Sequence, residues 1–232
     1  MYYSQDKQDE YINNSFFKNK KNGFFLEIGA NDGIKLSNSF FFEKELFWKG
    51  ICIEPMPDAF KKLQENRKSE NINCCIGVED TEKEFLMIEG YSEMLSGVID
   101  KYDILHLKRI EQELEIHGGS SKIVLVPLRN INSILEERKI TKIDYCSIDT
   151  EGGELEIVKS INFKKLKILV FSIENIYEKE ELRNYLKSKN YKLVKTLGGD
   201  DIFILRNIFF RFKKIFPINI LIRIVRVLNL IK

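Results

Sequence analysis

In two stretches that lie far apart in the chain, an apolar run ends in acidic and small residues. The first is FFLEIGANDG at residues 24–33, and the second is IDYCSIDTEGGELEIV at residues 143–158. Each pattern indicates a buried strand that ends in carboxylates and turn-forming residues. Because open α/β sheets bind ligands beyond the carboxyl ends of their strands, the two stretches predict one site at a shared edge of a sheet.

The first stretch has the features of a nucleoside-binding turn. Gly29 and Gly33 allow the backbone to turn sharply and to approach a ligand closely. The next apolar run, GICIE at residues 50–54, ends on Glu54, about twenty residues after the glycines. An acid in that position can accept hydrogen bonds from both hydroxyls of a ribose.

The charge of this loop favours a cationic ligand over a pyrophosphate. The loop is G-A-N-D-G rather than G-x-G-x-x-G, and it contains Asp32, while Glu27 precedes its first glycine by two residues. Carboxylates are unfavourable beside a pyrophosphate and acceptable beside a sulfonium or ammonium group. The alternative is a tight turn that binds no ligand.

The second stretch indicates a site for hard cations or hydroxyl groups. Asp149 ends its strand, and the run LKILVFSIE at residues 166–174 ends on Glu174, which Asn175 follows. Neighbouring strands would bring these three side chains to one mouth, where oxygen ligands suit Mg²⁺, Mn²⁺ or Ca²⁺. The alternative is an acidic pocket that binds substrate hydroxyls directly.

Predicted strands and helices alternate along the chain, and they must position these residues. The alternation predicts a mostly parallel sheet with helices on both faces. Predicted strands occupy residues 24–28, 50–54, 72–78, 83–90, 122–128, 143–149, 166–174, 191–197 and 201–205. Predicted helices occupy residues 37–47, 59–68, 100–116, 153–161 and 179–189, with Ser37 and Asp58 as N-caps of the first two. The GGD between the last two strands indicates a closing antiparallel hairpin.

The composition indicates a folded protein with an uneven distribution of charge. The 232 residues are 44% apolar and 31% charged, which suits one large α/β domain. The net charge is +2, but residues 206–232 hold seven basic residues and no acid, so residues 1–205 carry −5. An acidic body argues against nucleic-acid binding. We expect a cytoplasmic protein, because there is no secretory-signal pattern or membrane-spanning run and the four cysteines have the pattern of buried thiols.

Taken together, FFLEIGANDG, SNSFFFEKELFWKGICIEPMPDAFKKL and IDYCSIDTEGGELEIV resemble the FkbM family of S-adenosylmethionine-dependent methyltransferases, over roughly residues 2–205. The resemblance implies a class I methyltransferase fold, an α/β Rossmann-like sheet of seven strands whose last strand is antiparallel. It implies S-adenosylmethionine as the cofactor, with the ribose at Glu54 and the adenine near residues 77–80. The implied cofactor contacts are Glu27, Gly29, Ala30, Asn31, Asp32, Gly33, Ser37, Asn38, Glu54, Pro55, Glu79 and Asp80. The loop departs from the usual class I pattern at Asn31, where a glycine usually stands.

The resemblance also implies the reaction. FkbM proteins are typically O-methyltransferases of glycan or natural-product pathways, so we expect transfer to a sugar hydroxyl in glycan or surface-polysaccharide biosynthesis. Removal of the hydroxyl proton needs a base. The candidates are Asp149, Glu151, His106 and His117, the histidines lying in or beside a predicted lid helix. Asp149, Glu174 and Asn175 resemble the acid, acid, Asn sites of metal-dependent O-methyltransferases, with Mg²⁺ or Mn²⁺ as the expected ion.

The last residues form a separate unit in this interpretation. We expect a methyltransferase domain over residues 1–205 and a basic, apolar C-terminal tail over residues 206–232, which is amphipathic when drawn as a helix. Such a helix would lie on an anionic membrane, pack in a homodimer or pack on the body of its own chain.

Two other functions remain open from the sequence, a nicotinamide-dependent Rossmann-type enzyme and a non-catalytic adaptor that keeps the cofactor fold. The antiparallel hairpin and the missing third glycine argue against the first. The acids at both strand mouths argue against the second.

Overall fold

The computed structural model describes residues 1–102 and 104–207, so the predicted C-terminal helix lies outside the described residues. The strands are β1 Phe24–Ile28, β2 Lys49–Ile53, β3 Glu70–Ile72, β4 Cys75–Gly77, β5 Thr81–Glu89, β6 Gly97–Val98, β7 Ser120–Asn130, β8 Lys142–Ile148, β9 Lys167–Glu174, β10 Tyr191–Leu197 and β11 Asp200–Leu205. The helices are α1 Gln8–Ile12, α2 Phe40–Leu46, α3 Pro57–Asn66, α4 Ile104–His117, α5 Ile131–Glu137, α6 Glu154–Ser160 and α7 Glu180–Ser188. Among these helices none is long and apolar enough to cross a membrane.

Seven strands form the main sheet in the order β3-β2-β1-β8-β9-β11-β10. The first five are parallel, and β11 runs antiparallel between β9 and β10. This arrangement confirms the predicted seven-stranded class I sheet and its closing hairpin. Because all five parallel strands end at the same edge, the side chains that follow them share one mouth.

Both faces of the main sheet are covered, as the continuous apolar runs of its strands require. On one face α5, α6 and α7 contribute Ile134, Val158 and Leu186 to a core with strand residues such as Ile148. On the other face the core includes side chains of α1, α2 and α3 and strand residues such as Tyr145. The prediction of helices on both faces is therefore confirmed.

A second sheet, in the order β4-β7-β5-β6, lies outside the predicted topology. The sequence suggested one strand over residues 72–78, which was wrong. The chain leaves the main sheet after Ile72, and Asn73 donates hydrogen bonds to the carbonyl oxygens of Glu54 (2.8 Å) and Pro55 (3.0 Å). An unbroken apolar run concealed this change of sheet, because its two halves are buried by different partners.

Three helix boundaries also differ from the predictions. Helix α2 begins at Phe40, although Ser37 Oγ does accept a hydrogen bond from the backbone N–H of Phe40 at 3.1 Å. Asp58 lies inside α3, which starts at Pro57, the ring being compatible with a first helical turn. The predicted helix 100–116 is a 3₁₀ turn over Ile99–Lys101 followed by α4.

A buried ion network holds the loop after β1 in place. Arg67, which follows α3, has a fully buried side chain and donates to Glu27 Oε2 at 3.1 Å and to Glu43 Oε2 at 3.0 Å. Its Nη1 also donates to the carbonyl oxygen of Gly33 at 2.9 Å. Glu27 in turn accepts from the hydroxyls of Ser37 and Ser39. The network therefore ties β1, its loop and α2 to the residue that ends α3.

The ends of β1 and β8 are in close contact. Gly29 has a φ of +85°, and a Cβ atom on it would lie 1.6 Å from the carbonyl oxygen of Asp149. Only glycine can occupy this position without displacing the end of β8. The loop after β1 and the acids after β8 are thereby brought into one site.

We expect the substitution Arg67→Met to lower the free energy of unfolding by about 3–5 kcal/mol, because it leaves Glu27 and Glu43 buried without their cation. Urea unfolding monitored by circular dichroism measures this loss. The matched control is Lys165→Met, which breaks an exposed pair with Glu136 and should cost at most about 1 kcal/mol. Equal effects of the two substitutions would show that the buried network does not stabilise the fold.

Candidate functional site

A cavity of about 470 Å³ opens at the carboxyl ends of β1, β2 and β8. The second, four-stranded sheet, called the small sheet from here on, forms the opposite wall of the cavity. Residues of the main sheet and its loops that line the cavity include Ile28, Gly29, Asn31, Ile53, Glu54, Pro55, Asp149 and Glu151. Residues in and around the small sheet that line it include Cys75, Val78, Glu79, Lys83, Phe85, Met87, Met94 and Leu128.

Glu54 directly follows β2 and lines the main-sheet wall of the cavity. Its carboxylate accepts hydrogen bonds from the backbone N–H groups of Asn31 and Met56, both at 2.8 Å and each on a different oxygen. Each oxygen keeps a second lone pair for a ligand hydroxyl. Burial raises the pKa of Glu54 to about 7, although the two backbone N–H groups act in the opposite direction.

The loop after β1 divides into residues that face the cavity and residues that shape the loop. Asn31 lines the cavity with a left-handed φ of 46°. Asp32 instead accepts the backbone N–H groups of Ile34 (2.9 Å) and Lys35 (2.8 Å) with one carboxylate oxygen. The charge of Asp32 is therefore directed at its own turn.

The structure thus separates the predicted cofactor contacts into two groups. Those that line the cavity are Gly29, Asn31, Glu54, Pro55 and Glu79. Those outside the cavity lining are Glu27, Ala30, Asp32, Gly33, Ser37, Asn38 and Asp80. Several of the second group belong to the Arg67 network or to turns beside the cavity, so they position the wall rather than form it.

The sequence pattern did not predict the wall formed by the small sheet. Phe85 and Met87 come from β5, and Leu128 comes from β7. The predicted strand over residues 83–90 was the available signal, but nothing in its pattern showed that it pairs with β7. Cys74 and Cys75 also line the cavity, and burial raises the pKa of both thiols, that of Cys74 to about 11, so both stay protonated at neutral pH.

Three carboxylates meet at the end of the cavity near β8 and β9. One oxygen each from Asp149, Glu151 and Glu174 lies within 4.8 Å of the other two. Burial is the main cause that raises the pKa of all three groups. Neighbouring carboxylates add to it, among them Glu151 for Asp149 and Asp149 for Glu174, whereas the guanidinium of Arg109 opposes the rise in the pKa of Glu151. Glu151 reaches a pKa of about 7. The group can therefore hold a proton near neutral pH or a cation.

Asn175 does not complete this group in the way the sequence suggested. Its amide nitrogen donates to Asp201 Oδ2 at 2.9 Å, and its amide oxygen accepts from the backbone N–H of Lys179 at 2.8 Å. The structure brings Asp149 and Glu174 together as predicted and adds Glu151 in place of the amide. An all-oxygen set of this kind fits Mg²⁺ or Mn²⁺.

The two histidines occupy different surroundings. His106 is buried on α4, with Nδ1 3.7 Å from Glu151 Oε2 and the ring stacked on Tyr102 at a centroid distance of 4.6 Å. His117 lies at the end of α4, 3.6 Å from Glu113 and against the ring of Tyr91, and does not line the cavity. The predicted base candidates Asp149, Glu151 and His106 are thus near one another, and His117 is not among them.

The cavity is strongly acidic. Eight lining residues are carboxylates, namely Glu54, Asp58, Glu79, Glu89, Glu93, Asp149, Glu151 and Glu156, against the two lysines Lys83 and Lys101. This excess of negative charge attracts a cationic ligand and repels a pyrophosphate.

Among solved structures, the chain resembles a methyltransferase FkbM from Methylobacillus flagellatus KT, with 14% identity over 80% of this chain and a TM-score of 0.46. The chain spans only 44% of that protein. It also resembles precorrin-6y C5,15-methyltransferase from Geobacter metallireducens GS-15, with 13% identity, 80% of this chain and 79% of that chain covered, and a TM-score of 0.39. At such low identity we transfer no residue role from either structure.

No curated protein sequence matches the chain. The sequence model of the methyltransferase FkbM domain does match, over residues 27–193. That range covers more than half of the chain and includes both the loop after β1 and the carboxylates after β8 and β9. The chain therefore belongs to the FkbM methyltransferase family, whose cofactor is S-adenosylmethionine.

Proposed function

We propose that the protein transfers a methyl group from S-adenosylmethionine to a sugar hydroxyl in glycan or surface-polysaccharide biosynthesis. The observation that carries this proposal is the group Asp149, Glu151 and Glu174 at the end of an acidic cavity. A hydroxyl group must lose its proton during transfer, and carboxylates with raised pKa values are suitable acceptors.

The cavity residues fit the cofactor. Bound S-adenosylmethionine supplies an electrophilic methyl group on a sulfonium centre. Glu54 would accept hydrogen bonds from its ribose hydroxyls, since the two backbone donors already fix the carboxylate. The apolar wall of Val78, Phe85 and Leu128 would exclude water from the adenine ring of the cofactor.

The three carboxylates would position the acceptor and take its proton. Asp149 directly follows β8 and lines the main cavity, whereas Glu174 lies in a small opening that Glu151 and His106 also line. Glu151 lines both, so the acceptor would enter between α4 and the end of β9. We further propose that Mg²⁺ or Mn²⁺ binds Asp149, Glu151 and Glu174, where it would lower the pKa of a bound hydroxyl.

The proposed reaction is tested with methyl-labelled S-adenosylmethionine and a panel of glycosides, followed by hydrolysis and identification of the labelled sugar. We expect an alkali-stable O-methyl sugar that the Asp149→Asn protein fails to form, with a rate loss of at least about a hundredfold. Label found only on amines, or full activity in Asp149→Asn, would contradict the proposal.

The substitution Glu54→Gln should weaken the binding of S-adenosylhomocysteine at least about tenfold, because a hydrogen bond to a charged acceptor contributes about 1.5–3 kcal/mol. Isothermal titration calorimetry measures the affinity. Asp58→Asn is the matched control, since it removes one carboxylate from the same cavity. A folded Glu54→Gln protein that binds as tightly as the control would remove Glu54 from the cofactor site.

The binding of S-adenosylhomocysteine should also depend on pH through Glu54. Burial raises its pKa to about 7, so the carboxyl is protonated below this pH and can then donate as well as accept. Affinity should rise as the pH increases through neutrality, because the ionised form accepts from both hydroxyls. Calorimetry across this range should show the rise in the unmodified protein and a flat profile in Glu54→Gln. A rise of equal size in both would assign the titration to another group.

The metal proposal is tested without an acceptor by titrating Mn²⁺ and measuring water proton relaxation. We expect one site that Glu174→Gln abolishes, because it removes one of three charged ligands. Glu156→Gln, at a carboxylate outside the group, is the control and should keep the site. If the unmodified protein binds no Mn²⁺ and transfers methyl groups in excess chelator, the carboxylates act without an ion.

A further inference from the structure

The small sheet has one long strand edge without a neighbour. Strand β7 has eleven residues, and on the side toward β4 only Leu128, Arg129 and Asn130 are paired. On its other side β7 pairs with β5 from Ser120 to Leu128. Within the described part of the chain, no strand pairs with residues 120–127 on the β4 side.

This open edge is apolar and exposed. The side chains of Ile123 and Leu125 point to the outer face of the small sheet and are 60% and 66% exposed. Of the charged residues, only Lys122 lies between residues 120 and 128, and it is engaged with Glu89 at 2.6 Å. The edge therefore combines unpaired backbone groups with exposed aliphatic side chains, which is the combination that drives strand pairing between chains.

The other strand edges of the described residues are protected. Strands β3, β4 and β6 have three, three and two residues. The edge of the main sheet at β10 carries the exposed Lys192 and Lys195. Strand β5 extends beyond β6 at both ends. One end carries the charges of Glu82, Lys83 and Glu84, and at the other the N–H of Ile88 donates to Ser96 Oγ. Short strands and charges are the usual means of preventing edge pairing. Strand β7 is long, and its single charge between residues 120 and 128, Lys122, is paired with Glu89.

We propose that β7 pairs with β7 of a second copy of this chain, in antiparallel orientation across a two-fold axis. The strands β6, β5 and β7 of the two copies would then form one continuous sheet of six strands, while each β4 keeps its short pairing with residues 128–130. Such an interface is isologous, because both copies contribute the same unpaired stretch of β7 to it. The two-fold axis at Val124 would pair Ser121 with Pro127 of the other copy, so the contact ends where the proline lacks an N–H.

The same register explains the exposed side chains. With Val124 opposite itself, Ile123 of each copy lies directly opposite Leu125 of the other, at the separation of a cross-strand pair. The four aliphatic side chains then cover one another on the outer face. A shift of one residue along either strand would place Ile123 opposite Val124 or Val126, which point to the inner face, and this would leave the aliphatic pairs unmatched.

Size-exclusion chromatography with light scattering, which measures the molar mass of the 232-residue protein in solution, tests the pairing. We expect a dimer that Leu125→Lys converts to a monomer, since it places a charge at the centre of the contact. The matched control is Ile116→Lys, which changes another exposed aliphatic residue, 72% exposed on α4, and should leave the dimer intact. A monomeric unmodified protein, or a dimer that survives Leu125→Lys, would overturn the proposal, as would a dimer that both substitutions dissociate.

Cross-linking tests the register and does not depend on the folding of Leu125→Lys. The four natural cysteines are buried, so an introduced cysteine on the edge is the reactive one. Ile123→Cys and Leu125→Cys proteins, mixed and mildly oxidised, should form a disulfide-linked heterodimer in preference to either linked homodimer. Equal formation of all three linked species, or of none, would overturn the proposed register.

Discussion

The buried ion pair between Arg67 and Glu27 is the interaction on which the geometry of the site depends. It joins the strand that leads into the loop after β1 to the end of the helix that follows Glu54, and Arg67 also donates to the carbonyl oxygen of Gly33. A buried charge without its partner is costly, so the loop has little freedom to take another path. Glu27 therefore shapes the loop after β1 through the backbone it positions, and Glu54 provides the carboxylate that lines the cavity.

The cavity holds its carboxylates in two different arrangements. Glu54 is held by two backbone donors, whereas Asp149, Glu151 and Glu174 lie close together near the ends of β8 and β9 and raise one another's proton affinity. The first arrangement fixes an acceptor of hydrogen bonds, and the second raises proton affinity. A cavity with both ends acidic suits a cationic cofactor and an acceptor that must lose a proton.

The sequence was informative where function follows from strand ends. Glu54, Asp149 and Glu174 each directly follow or end a parallel strand, so their shared edge could be predicted from the order of elements. The direction in which a side chain points could not be predicted from the order of elements. Glu27 is near the same edge, but its partner Arg67 is forty positions away in the chain, and no local pattern marks such a pair. The small sheet was missed for a similar reason, because the pairing of β5 with β7 depends on contacts across more than thirty residues.

We propose that the acidic cavity holds S-adenosylmethionine between Glu54 and the three carboxylates. The most direct measurement is a crystal structure of the complex with S-adenosylhomocysteine. We predict that both ribose hydroxyls lie within hydrogen-bond distance of the Glu54 carboxylate and that the sulfur faces Asp149 and Glu151. A ligand whose ribose contacts other residues, or whose sulfur points away from the carboxylates after β8, would contradict the account.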